Sequence, residues 1–77
     1  MDEQRLPDLP ERQLWCSVLS LAAFDMRAGR DLRRAVVRWI TTPDFATVCE
    51  LAGLEPAMVR NYLKRGGTRR GIESLAA

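Results

Sequence analysis

The stretch TPDFATVCELAGLEPAMVRNYLKRG, residues 42–66, decides the fold because it predicts two short helices joined by a tight turn. The first helix is expected over residues 45–52, after a Thr–Pro pair that is typical of a helix start. Gly53 can adopt a positive φ at low cost and therefore suits the turn. Pro56 opens the second helix, since its missing N–H would be unpaired there anyway, and a Gly–Gly pair ends it.

Small and apolar residues recur in this stretch at the spacing of two helices that cross. Cys49 supplies a small residue at the crossing, Gly53 follows four residues later, and Val59 lies six residues beyond that. Four more positions agree at the same register: Val48, Ala52, Leu54 and Tyr62. The pattern resembles the helix-turn-helix DNA-binding families of the phage-repressor and small bacterial regulator kind, over roughly the last half of the chain.

The second helix of the stretch has two different faces. Val59, Tyr62 and Leu63 are predicted to point inward, at helical spacing. In the families that this stretch resembles, the opposite face enters the major groove of DNA. Here that face is predicted to carry Ala57, Arg60, Asn61 and Lys64.

The residue types on this face suit DNA. Arginine can donate two hydrogen bonds to guanine and asparagine can pair with adenine, so Arg60 and Asn61 are candidates for base contacts. Lys64 could contact either a base or a phosphate, and Ala57 would allow close approach to a thymine methyl. The candidates for phosphate contacts are Arg65, Arg69 and Arg70. The alternative is that Arg60 and Lys64 form an ordinary solvated face, and that GGTRRG is a disordered tail.

A net charge of +2 conceals an uneven distribution along the chain. Residues 1–31 carry six acidic and four basic side chains, and residues 32–55 carry three of each. Residues 56–72 then carry five basic side chains and no acidic one. A polyanion would therefore be attracted to the C-terminal part of the chain.

The remaining residues are predicted to support this stretch within a single domain, 1–77. We expect an all-α fold, a compact bundle of about four helices, with two supporting helices in residues 10–41. Residues 1–9 are expected to form a loose arm and residues 67–77 a basic flexible tail. The first supporting helix starts near Pro10, and its predicted inward stripe consists of Leu14, Trp15, Val18, Leu19, Leu21, Ala22 and Met26.

The second supporting helix has the clearest amphipathic pattern. Asp31 is its predicted N-cap, and five apolar residues recur on one side: Leu32, Ala35, Val36, Trp39 and Ile40. Arginines line the other side at positions 30, 33, 34 and 38. Such a row is typical of a solvated face, but it could bind phosphates if it lies near the basic end. On the first helix, Phe24 projects toward water, and it either covers a neighbouring element or belongs to a subunit contact.

The composition argues against catalysis and against bound metal. The chain has no histidine, its two cysteines are far apart, and GGTRRG lacks the residues of a phosphate-binding loop. We therefore expect no enzyme activity, no metal and no cofactor. The cysteines are expected to be reduced, and neither a signal peptide nor a membrane span is evident, which predicts a cytoplasmic protein without membrane contact.

Three function classes stay open at this stage. The resemblance implies a small transcription regulator that binds double-stranded DNA. A small arginine-rich protein of this kind also resembles phage small terminase subunits and gene-transfer-agent proteins, which implies a DNA-packaging role. The third class is a protein-interaction module that contacts a partner such as polymerase, either through Arg33, Arg34 and Arg38 or through Phe24. We expect a homo-oligomer, because one motif reads few base pairs and a second copy about 34–36 Å away adds affinity.

Overall fold

A computed structural model describes residues 9–76, and every regular element in this range is a helix. The all-α prediction is confirmed, whereas the predicted count of about four helices is not, because residues 9–76 form five. The predicted N-terminal arm falls on residues 1–8, outside the described range, apart from its last residue, which begins the first helix. The helices are α1 Leu9–Asp25, α2 Arg30–Trp39, α3 Pro43–Leu51, α4 Pro56–Lys64 and α5 Arg69–Ala76.

The starts of α3 and α4 follow the predicted proline rule. Thr42 is the N-cap of α3, where its hydroxyl accepts a hydrogen bond from the Phe45 amide at 3.4 Å. At α4 the Glu55 carboxylate accepts from the Ala57 amide at 3.0 Å, directly before Pro56. Each cap satisfies an amide that the helix itself leaves unpaired, so the two boundaries are defined locally.

The predicted cap of α2 is wrong. The N-cap position is Gly29, with a φ of 144°, and no side chain caps it. The chain leaves α1 through a conformation that L side chains rarely adopt, and glycine adopts it without strain. Asp31 lies within the first turn instead, where its charge still interacts favourably with the helix dipole.

The core lies between α1 on one side and the last three helices on the other. α1 packs chiefly against α5 and α3, and α3 packs against α4. Seven large side chains are fully buried there and come from all five helices or their ends: Leu19, Ile40, Phe45, Cys49, Val59, Leu63 and Ile72. Through this core, α3 packs on α1 and α4 packs on α3.

The basic flexible tail predicted for residues 67–77 is in large part helix α5. The side chain of Ile72 is fully buried, and the hydroxyl of Thr68 accepts from the Gly71 amide at 3.1 Å as a cap. The Gly–Gly pair ends α4, as predicted, and it makes a sharp turn in which Gly66 has a φ of 81°. Burial of Ile72 against the core then stabilises a helix that would be too short to persist alone.

Part of the predicted inward stripe of α1 faces solvent. Leu14 and Leu21 of this stripe each expose 58% of their surface. Phe24, which was predicted to project toward water, exposes 54%. Helix projection predicts an arc but not how much of that arc a neighbour covers. The helices packed on α1 cover the side of Leu19 and Ala23 and leave these three side chains uncovered. Leu32, at the start of α2, is also 46% exposed.

We predict that Gly71→Ala destabilises the fold although alanine is the better helix former. A Cβ at position 71 would lie 1.4 Å from the Tyr62 hydroxyl oxygen, so the tyrosine would have to leave its position against α5. In an exposed helix the same change stabilises by about 1 kcal/mol. Thermal unfolding should show a lower Tm for Gly71→Ala, and the loss should shrink in a Tyr62→Ala background. A Tm equal to or above that of the wild type would refute this packing.

Candidate nucleic-acid interface

The position of α4 is set by what lies beneath it and by the connection from α3. Val59 and Leu63 are fully buried, as predicted, and they fix which side of α4 faces the core. In the connection, Gly53 adopts the predicted positive φ, at 78°, and the Leu54 amide donates to the Cys49 carbonyl at 2.8 Å. The rotation of α4 about its own axis is therefore fixed by burial, and its direction by a turn that glycine permits.

Two side chains, one from beyond α1 and one from α4 itself, tie the C-terminal end of α4 to the rest of the fold. The Arg27 guanidinium, just after α1, donates to the Gly66 carbonyl. The Tyr62 ring lies against Gly67 and Gly71, where any Cβ would collide with it. The Tyr62 hydroxyl accepts from the Thr68 amide at 3.0 Å, and hydrogen bonding to Thr68 lowers the pKa of the tyrosine. These contacts tie α4 to α5.

The side of α4 away from the core presents polar and cationic groups to solvent. Asn61, Lys64 and Arg65 are exposed and line one shallow depression together with Met58. Ala57 is exposed on the same helix. Within residues 9–76, no hydrogen bond or ion pair engages the side chains of Asn61 and Lys64. Both groups are therefore available to a ligand.

Arg60 does not lie where the projection placed it. Its side chain is half-buried, and its Nε donates to the Ile40 carbonyl at 2.9 Å. Its guanidinium carbon lies 5.4 Å from the centre of the Phe45 ring, within the range of a cation–π contact. Trp39 packs edge-on against the same ring, with centroids 5.2 Å apart. Arg60 thus connects α4 to the end of α2 and the start of α3.

The candidate phosphate contacts are divided between two surfaces. Arg65 belongs to the depression on α4. Arg69 lines a different groove, between α1 and α5, where it lies near Phe24 and Glu73. Arg70 is exposed on α5. The structure therefore brings Asn61, Lys64 and Arg65 together and does not bring Arg69 to them.

Met58 also belongs to this surface, although it was not among the residues predicted for it. Its side chain is 41% exposed, beside the candidate polar groups. The signal was present, because Met58 precedes Asn61 by three residues and Arg65 by seven, which places all three on one helix face. An exposed thioether is flexible and apolar, and it can contact a thymine methyl or a sugar.

Burial affects both cysteine thiols of the chain. The thiol of Cys49 is fully buried, and burial raises its pKa to about 11, so it stays protonated at neutral pH. Burial also raises the pKa of the Cys16 thiol. Among the described residues, no cluster of three or more potential ligands could hold a metal ion. None of the helices in residues 9–76 is long and apolar enough to cross a bilayer.

Comparison of this chain with protein-family models, with curated proteins and with solved structures finds no match.

We predict that Arg60→Ala mainly lowers stability. The substitution removes a charged hydrogen bond and a cation–π contact at a half-buried site, at a combined cost of about 1–2 kcal/mol. For a domain of this size, that cost should lower the Tm by roughly 5–15 °C, measured by circular dichroism. Lys64→Ala, an exposed cation on the same helix, is the matched control and should leave the Tm nearly unchanged. An unchanged Tm for Arg60→Ala, with altered binding to DNA, would instead restore Arg60 as a base-reading residue.

Proposed function

We propose that this protein binds double-stranded DNA with α3 and α4 acting as a helix-turn-helix, and that it serves as a small transcription regulator. The observation that carries the proposal is the exposed side of α4, where an amide and two cations are held on a helix of fixed orientation. No acidic residue occurs in residues 56–72 to oppose a phosphate. The fixed orientation of α4 positions the side chains that would contact DNA, and the cations on its exposed side attract the negatively charged phosphates.

In this proposal the base contacts come from residues that have no other partner. Asn61 has the donor and acceptor that pair with adenine in the major groove, and Lys64 can donate to guanine. Ala57, near the start of α4, allows close approach, and Met58 can cover a thymine methyl. Arg60 serves as a positioning residue, because its Nε is already bonded to the Ile40 carbonyl.

Phosphate contacts in this proposal come from the cations around the end of α4 and the start of α5. Arg65 adjoins the proposed base-reading surface. Arg70 is exposed at the start of α5, five residues further along the chain. Arg69 faces the groove with Glu73, so its contribution to phosphate binding is expected to be smaller. Such contacts set affinity and salt dependence rather than sequence preference.

A second copy of the chain is part of the proposal, since one motif of this size reads few base pairs. The exposed side chains of Leu14, Leu21 and Phe24 on α1 support it, because together they form an apolar edge that nothing in residues 9–76 covers. The alternative function is DNA packaging. A packaging protein would form rings and bind DNA with little sequence preference, whereas a regulator would prefer one operator.

Titration of fluorescent duplexes at two salt concentrations tests the DNA proposal. We expect Asn61→Ala to weaken binding to a selected duplex by about 1–3 kcal/mol and to relax one base preference. We expect Arg70→Gln to weaken binding to selected and random duplexes by the same factor. Gln13→Ala, at an exposed position of α1, is the control and should bind DNA as the wild type does. If the wild type bound no duplex at low salt, the proposal would fail.

Sedimentation tests the second copy. We expect a dimer or larger species for the wild type, and a lower mass for Phe24→Glu, because a carboxylate cannot be buried there without a partner. Val37→Glu, at an exposed apolar residue of α2, is the matched control and should leave the mass unchanged. A monomeric wild type at high protein concentration would contradict this assembly.

A further inference from the structure

Helix α2 carries a cationic face that the proposed contacts of α4 do not use. Its four arginines, at positions 30, 33, 34 and 38, are all exposed. Within residues 9–76, no hydrogen bond or ion pair engages the side chain of any of the four. One acidic residue, Asp31, lies on the same helix. At 100° per residue the four side chains span an arc of about 140°.

This arrangement is unfavourable for an isolated protein. Arg30 and Arg34, and again Arg34 and Arg38, are four residues apart, so like charges face each other along one side of the helix. Each such pair opposes helix formation, and the one carboxylate of the helix, Asp31, can offset only part of this repulsion. The helix is held by its other side, through buried Val36 and Ile40. An external anion would relieve the repulsion.

Two hydrogen bonds place α2 beside α4. Just before α2, the Arg27 guanidinium donates to the Gly66 carbonyl, just after α4. Just after α2, the Ile40 carbonyl accepts from Arg60, within α4. The residues on either side of α2 are therefore both joined to α4 or to the turn that follows it, which keeps α2 near α4 without close packing between the two helices.

We propose that α2 binds the phosphates of the DNA strand that borders the major groove entered by α4. This inference rests on the proposed DNA binding. The major groove is about 12 Å wide and one helix fills it, so cations on an element that is joined to that helix at two points lie close to the bordering backbone. Residues 30–38 span about 12 Å, against a phosphate rise of about 3.4 Å per strand. Guanidinium groups bind phosphate oxygens through paired N–H donors.

The test is the salt dependence of duplex binding by the double variant Arg34→Gln/Arg38→Gln. The control is Gln13→Glu/Ser17→Glu, which changes the net charge by the same two units on exposed positions of α1. Anisotropy titrations across several salt concentrations would give the slope of log K against log salt for each protein. Thermal unfolding would verify that both variants keep the wild-type Tm.

The α2 variant should show a slope shallower by about 2, from roughly 0.9 per phosphate contact, and equal losses for selected and random duplexes. The control should keep the wild-type slope. An α2 variant with the wild-type slope would overturn the inference and leave the arginines to an acidic protein surface. An equally shallow slope in the control would also overturn it, because net charge alone would then be the cause. If the wild type binds no duplex, the proposed function itself fails. If Asn61→Ala loses its base preference but the Arg34→Gln/Arg38→Gln variant keeps the wild-type salt slope, only this inference fails and the proposed function stands.

Discussion

The side chain of Arg60 joins three helices at one point, and the orientation of the exposed surface of α4 depends on it. It extends from α4 over the Phe45 ring of α3 and donates to the Ile40 carbonyl at the end of α2. A domain of 77 residues buries a smaller fraction of its surface than a larger domain does, so polar contacts matter more to the position of a short helix. The directional hydrogen bond of Arg60, at a half-buried site, adds to the resistance that buried Val59 and Leu63 give to rotation of α4.

Other polar contacts have the same role at the far end of α4. The Arg27 guanidinium binds the Gly66 carbonyl, and the Tyr62 hydroxyl binds the chain at Thr68. Both glycines that contact the Tyr62 ring have no side chain to displace it. The nine residues of α4 are therefore tied to the rest of the fold in the middle of the helix and just beyond its C-terminal end, and its exposed side chains can start from one arrangement. Such preorganisation lowers the entropy cost of binding any ligand there.

Local signals in the sequence predicted the parts of the fold that local chemistry decides. Thr42, Gly53 and Pro56 act within a few residues of themselves, so the boundaries of α3 and α4 followed from them. The exposure of Leu14 and Leu21 did not, because a projection cannot tell how much of a helix its neighbours cover.

Long-range contacts decided what the sequence could not predict. Helix α5 forms because Ile72 finds the core, and Arg60 turns inward because two groups distant in sequence lie within its reach. In the candidate site, Asn61 and Lys64 could be predicted as exposed because burial of Val59 and Leu63 fixes the helix face. The exposure of Met58 could have been predicted on the same grounds, because it lies three residues before Asn61 and therefore on the same face of the helix.

Backbone amide chemical shifts, recorded while an unlabelled duplex is added, test the central claim most directly. If α4 presents its exposed side to DNA, the largest changes should fall on residues 57–65, with Asn61 and Lys64 among them. Changes confined to α1, or no changes at low salt on a folded protein, would contradict the account.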